Sequence, residues 1–230
     1  MFVLMPLRVK EPTENERIPW ANALLIVISV LVFFLNGFLG WKLGVGQGSS
    51  FLTILTYGFA HADPMHLITN MWVLWLFGNP VNRRIGNVYY LLAYVGTIVA
   101  IGIVAWLFAG GLLVGSSGAI FAVMLLFMML TPRAGVIIGY VALFPFTLVA
   151  GLLSRPKHWV FWFLRWDTFE ARAWIGLILI PLLEIWSLWS WGWNWTNLGH
   201  LFGLMAGVVI VLLLPTQITM KRRLAASGVS

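Results

Sequence analysis

Hydrophobic residues in this chain fall in long, nearly unbroken runs separated by short polar stretches. The runs are Ala21–Leu39, Met65–Pro80, Tyr89–Ala109, Ser117–Leu130, Val136–Leu153, Trp174–Trp191 and Leu198–Pro215. A helix needs about 20 residues to cross a bilayer and about 17 where the membrane thins. Runs of this length predict a polytopic helical membrane protein. Trp20, Trp41, Trp191, Trp193 and Trp195 sit at run ends, where an aromatic belt meets the headgroups.

Composition sharpens this picture. Hydrophobic residues make up 61% of the 230 and charged residues only 9%, with a mean hydropathy of +0.94. A soluble domain carries about 25% charged residues, so this chain lacks the polar surface to face water all round. With no cysteine, disulfides and thiolate metal sites are excluded. The net charge is +7. In a membrane chain Lys and Arg mark cytoplasmic loops, so the charge is read by position and does not point to nucleic acid. The N-terminal stretch "MFVLMPLRVKEPTENERIPW" lacks the charge order and small-residue cleavage site of a signal peptide.

Position of the basic residues decides the topology. If 134–153 does not cross, six spans put every Lys and Arg except Lys42 on one side, including Arg83, Arg84, Arg133, Arg155, Lys157, Arg165, Arg172 and the C-terminal "KRR". If it does cross, the four residues from Arg155 to Arg172 and the "KRR" switch sides. The positive-inside rule favours six spans with both termini cytoplasmic. The spans are 20–41, 64–81, 88–109, 116–132, 174–191 and 198–215. The insertion at about 134–173 then begins with a re-entrant or interfacial segment. In the alternative, 134–153 spans and 174–191 does not, which leaves four basic residues outside. The domain division is a cytoplasmic segment 1–19, a membrane domain 20–216 and a cytoplasmic tail 217–230.

Polar groups inside spans are expensive and are functional candidates. Span 2 opens on "HADPMHLITN", with His61, Asp63, His66 and Asn70; span 4 on Ser116 and Ser117; span 6 on Asn197 and His200. All three spans start on the non-cytoplasmic face, so these groups share one depth and suggest a polar cavity opening outward. His66 and Asn70 lie four residues apart and face the same way. Asp63 before Pro64 reads as a helix N-cap. Gly199, Gly203 and Gly207 form a small-residue stripe that admits another helix backbone, and Gly115 and Gly118 offer matching small surfaces on span 4. Each feature has a bland reading as cap, interfacial group or packing surface. Their common depth asks for a common explanation. Glu184 in span 5 stands apart, either as part of a proton path or as a partner for backbone loosened by Pro181.

These residues resemble the rhomboid family of intramembrane serine proteases. "GSSG" followed by "AIFA" is similar to the family's Gly-x-Ser-Gly motif, "HADPMHLITNMWVLWLFG" to its second span, "GHLFGLMAG" to its last span and "RIPWANALLIVISVLVFFLN" to its first. The resemblance implies an all-α membrane protein, a six-transmembrane-helix rhomboid-like bundle with the insertion between spans 4 and 5. It implies Ser117 as nucleophile and His200 as general base, a dyad without a carboxylate. It also implies an oxyanion hole of Ser117 N–H, His66 and Asn70, with Phe121 packed against the base and the glycines as structural support. The expected partners are transmembrane protein substrates and the lipid bilayer, with no cofactor and no metal. The expected location is the cell membrane, with the site opening to the non-cytoplasmic side. Three positions depart from the family's pattern. Leu52 and Thr53 stand where many members have Trp-Arg, and Asn82 stands where many have Glu. The competing classes are a non-catalytic rhomboid-like binding or chaperone protein, and a metal-dependent membrane protease or transporter using His61, Asp63, His66 and His200. Against the last, no His-Glu-x-x-His pair is present.

Overall fold

The computed structural model describes residues 2–10, 17–40, 42–143, 147 and 164–215. The main helices are α1 (Trp20–Leu39), α3 (Pro64–Val73), α4 (Asn79–Ile85), α5 (Asn87–Phe108), α6 (Ser117–Leu130), α7 (Ala173–Trp191) and α8 (Trp195–Leu213). A short α2 (Thr53–Thr56) runs into a 3₁₀ turn at Tyr57–Phe59. Among the described residues, four helices are long and apolar enough to cross a membrane: α1, α5, α7 and α8. From Pro64 to Ile85 the chain stays helical through a π turn at Leu74–Gly78. Pro80 cannot donate an N–H to the turn before it, which loosens the ladder there. The loosened segment finds another partner, because the Leu74 carbonyl accepts from Asn22 Nδ2 at 3.1 Å.

The chain packs around α6, most of which is buried, with Leu126, Phe127 and Leu130 in one core cluster with Tyr90, Tyr94 and Ile98 of α5. The outer faces of the other helices expose large apolar side chains, such as Leu31 and Phe34 on α1 and Leu182, Leu183 and Trp186 on α7. That surface suits lipid rather than water.

The expected all-α class is too narrow. An antiparallel three-stranded sheet of order β1-β2-β3 is formed by β1 (Phe2–Lys10), β2 (Gly135–Leu143) and β3 (Leu164–Arg172). The segment expected to be re-entrant or interfacial thus opens as a strand. Its sequence "GVIIGYVAL" is rich in β-branched and aromatic residues that favour a pleated surface. Most of 144–163 and the tail from 216 lie outside the described residues. Gly135 pairs with Arg172, and Ala173 N–H bonds to Ala134 O at 2.9 Å. The inserted chain therefore returns to the point it left, and α7 starts beside the end of α6. Lys10 reaches past Gly135 to ion-pair with Glu170, whose carboxyl is held below its ordinary range by that hydrogen bond. Trp72 Nε1 donates to Pro6 O at 2.8 Å and ties the sheet to α3.

At the end of the bundle away from Ser117, asparagines knit α1, α4 and α5 together. Asn22, fully buried, donates to Asn79 Oδ1 at 2.8 Å and accepts from Tyr90 OH at 2.6 Å. Its N–H bonds to Asn82 Oδ1 at 3.0 Å, and Asn82 Nδ2 continues to Asn87 Oδ1 at 3.0 Å. Buried amides satisfied in this way hold helices in one register.

Candidate active site

The loop before α6 is shaped by Gly115, whose φ of +109° suits glycine. Its N–H bonds to Tyr57 O at 2.9 Å, and Tyr57 OH donates to Ile98 O at 2.9 Å. This anchoring makes Ser117 the first residue of α6. Its backbone N–H is among those with no partner inside the helix, at the positive end of the helix dipole. Ser116 is buried and occupies the cap position, but its hydroxyl makes no capping bond.

Asn194 caps α8 by accepting from Asn197 N–H at 2.9 Å. Two turns of that helix carry His200 to the start of α6, where its Nε2 lies 3.0 Å from Ser117 Oγ. The imidazole stacks on Phe121, with ring centroids 4.1 Å apart and planes 7° from parallel. Close backbone contact makes this possible. A Cβ added at Gly203 would fall onto the Gly118 carbonyl, and one at Gly118 would meet Gly199 O at 2.9 Å. A Cβ at Gly207 would meet Ala122 O at 3.0 Å. Gly199 differs: its own Cβ would find only Leu113 Cδ2 at 3.9 Å and Ile101 Cγ2 at 4.0 Å. Its carbonyl, not an absent side chain, is what lies against α6.

His66 and Asn70 approach the same loop from α3. A Cβ at Gly115 would lie 2.9 Å from His66 Nε2 and 3.8 Å from Asn70 Nδ2. Among the described residues Asn70 Nδ2 is buried without a hydrogen-bond partner, an open donor beside the serine loop. Asp63 accepts from His66 N–H at 2.9 Å and caps the helix. Ala62 N–H points to His66 Nδ1 at 3.5 Å, which leaves Nε2 to carry the proton of the neutral ring. Next to it, His61 is buried and its ring lies 5.1 Å from that of His66. Burial above all, and then His66, lower its pKa to about 4. Among the described residues no group of three or more His, Asp or Glu side chains could hold a metal ion.

Glu184 has contacts that the sequence does not reveal. It neither serves the backbone near Pro181 nor stands alone. Its Oε2 accepts from Asn197 Nδ2 at 2.7 Å, and its Oε1 lies 3.2 Å from His200 Nδ1. Its signal was its residue type, an acid inside an apolar helix.

The rhomboid domain family model matches residues 48–217, nearly three quarters of the chain. The chain belongs to the rhomboid family. Among curated relatives, "Rhomboid protein 1, mitochondrial" of Saccharomyces cerevisiae is 28% identical over 147 residues, which is 61% of this chain and 42% of that protein. "Rhomboid-like protein 11, chloroplastic" of Arabidopsis thaliana is 38% identical over 69 residues, 29% of this chain and 25% of that protein. This rhomboid thus spans less than half the length of either relative in the matched region. Asn82 and Thr53, expected to depart from the family's pattern, are both hydrogen-bonded. Asn82 joins the asparagine network. Thr53 bonds to Ser50 O at 2.5 Å and lies 2.8 Å from Ser49 Oγ, while Trp106 Nε1 donates to Ser49 O at 3.0 Å.

Proposed function

We propose that this rhomboid is an intramembrane serine endopeptidase that hydrolyses peptide bonds in or near transmembrane segments. The observation that carries the reading is the 3.0 Å contact between Ser117 Oγ and His200 Nε2. A serine hydroxyl is a weak nucleophile without a positioned base. In the proposed reaction His200 takes the proton as Ser117 attacks the scissile carbonyl, then gives it to the departing amine. Water repeats the sequence on the acyl-enzyme and frees Ser117. Ser117 N–H, His66 Nε2–H and Asn70 Nδ2–H form the oxyanion hole, each aimed at charge that develops only in the transition state. Gly118, Gly203 and Gly207 permit the approach of α6 and α8, Gly115 leaves room for His66 beside the serine loop, and Phe121 holds the base in plane.

The proposed topology has six spans: α1, the helix from Pro64 to Ile85, α5, α6, α7 and α8. Both termini, 1–19 and 217–230, lie on the cytoplasmic side of a cell membrane and the site opens to the other. The Gly135–Arg172 pairing supports it, because the insertion begins and ends at one end of the bundle. With its 14 residues, α6 spans about 21 Å of a ~30 Å core. If its far end reaches the interface, Ser117 sits below the opposite surface, where a cavity can admit water. Substrates are transmembrane proteins whose helices unwind readily, since attack needs an exposed carbonyl. The test is cleavage of a labelled transmembrane substrate in liposomes. Loss of activity in Ser117→Ala and in His200→Ala, with insensitivity to chelators, is expected. A non-catalytic binding protein would show no cleavage in any form.

A further inference from the structure

We propose that Glu184 is a positioning residue for His200, converting a two-residue catalytic apparatus into a three-residue one; the inference rests on the protease reading above. A resting imidazole must present Nε2 as an acceptor to Ser117 O–H, so its proton must sit on Nδ1. Nδ1 is buried and has no well-aligned hydrogen-bond partner among the described residues. The Glu184 carboxylate lies 3.2 Å away, within ion-pair range but off the axis of a good hydrogen bond. An acid there favours the required tautomer and stabilises the imidazolium formed when Ser117 gives up its proton.

The carboxylate is itself fixed. Asn197 Nδ2 holds Oε2 at 2.7 Å, and Asn197 lies on the same helix as His200, one turn earlier. Glu184 and His200 side chains are only 14% and 16% exposed, so solvent screens the pair weakly. Phe121 blocks rotation of the ring out of this line. The imidazole is therefore held on its face by Phe121, at one edge by Ser117 and at the other by Glu184. From α3 the neighbouring group is His66, next to Asp63; among the described residues Glu184 is the carboxylate within ion-pair range of His200.

The full-length protein in liposomes tests this with Glu184→Gln, which keeps the size and the Asn197 contact but removes the charge. Removing the acid of a Ser-His-acid triad costs up to ~10⁴ in kcat. With the contact off-axis here, kcat should fall about 10- to 100-fold, with KM and Tm nearly unchanged. The rate of fluorophosphonate labelling at Ser117 should fall in step. The ring nitrogen shifts of His200 should report mainly the Nδ1–H tautomer in the wild type and a smaller share of it in the variant. Glu184→Asp should restore part of the rate. If Glu184→Gln folds poorly, Asn197→Ala frees the carboxylate and should lower kcat by a smaller factor. Wild-type kcat and labelling in either variant, with or without a fall in Tm, would show that Glu184 only ties α7 to α8. Ser117→Ala and His200→Ala in the same series separate the two claims. Their inactivity beside a fully active Glu184→Gln overturns this inference alone, whereas cleavage by Ser117→Ala overturns the protease reading beneath it.

Discussion

Replacing Gly203 with alanine separates positioning from folding. The added methyl would strike the Gly118 carbonyl, with Gly118 C at 2.8 Å and Cα at 3.2 Å. Carbon atoms rest about 3.5–4.0 Å apart, so α6 and α8 must part by roughly 1 Å. Ser117 precedes Gly118, and His200 lies one turn before Gly203, so that shift falls directly on their 3.0 Å contact. Overpacking costs about 1–3 kcal/mol. Alanine in a helix regains about 1 kcal/mol over glycine. The net loss of stability is then roughly 0–2 kcal/mol. Activity should suffer far more, by about 100-fold, as a 1 Å error in a reacting pair does. Gly199→Ala is the matched control, since its methyl meets neighbours at ordinary contact distance. It should fold at least as well as wild type and retain activity. Both variants would be followed by thermal melting in detergent and by fluorophosphonate labelling at Ser117. Wild-type labelling in Gly203→Ala would refute the claim that this backbone contact sets the Ser117–His200 distance.

Other outcomes follow from the same geometry. His66→Ala and Asn70→Ala should each lower kcat by about 10²–10³ with little change in KM, measured on a labelled transmembrane substrate, if each removes one donor of the proposed oxyanion hole. Asn22→Leu should lower stability by about 1–3 kcal/mol or more in denaturation, since it orphans Tyr90 OH and Asn79 in the interior. His61 is neutral when folded and its pKa falls from 6.5 to about 4. The unfolded chain then binds more protons between those values, so stability is full above pH 6.5 and declines as pH falls toward 4. Melting curves across that window should show the decline, and His61→Gln should flatten it.

Much of the site was legible because it is written in local spacing. Ser117, His66 with Asn70, and His200 with its glycines each sit in the first turns of a helix, and the hydropathy runs together with the placement of Lys and Arg predicted that those turns begin on one face. Helix positions followed for the same reason: 20–41, 88–109 and 174–191 were expected where α1, α5 and α7 stand. The sheet was not legible. "GVIIGYVAL" is apolar enough to pass for a membrane segment, and its partner "FVLMPLRVK" is more than a hundred residues away, so pairing is invisible to a local pattern. Glu184 was visible as an intramembrane acid, but its partners lie on the next helix and depend on a crossing that sequence does not specify. Asn82 read as a lost glutamate. Its actual role needs Asn22 and Asn87, which three separate segments bring together.

The central claim is that Ser117, activated by His200, attacks a substrate carbonyl within the membrane domain. The most direct measurement is cleavage of a labelled transmembrane substrate by wild type and Ser117→Ala, reconstituted at equal amounts in liposomes and checked for equal folding. Cleavage by the wild type is expected, and none above background by Ser117→Ala. Equal cleavage by the two proteins would contradict the claim.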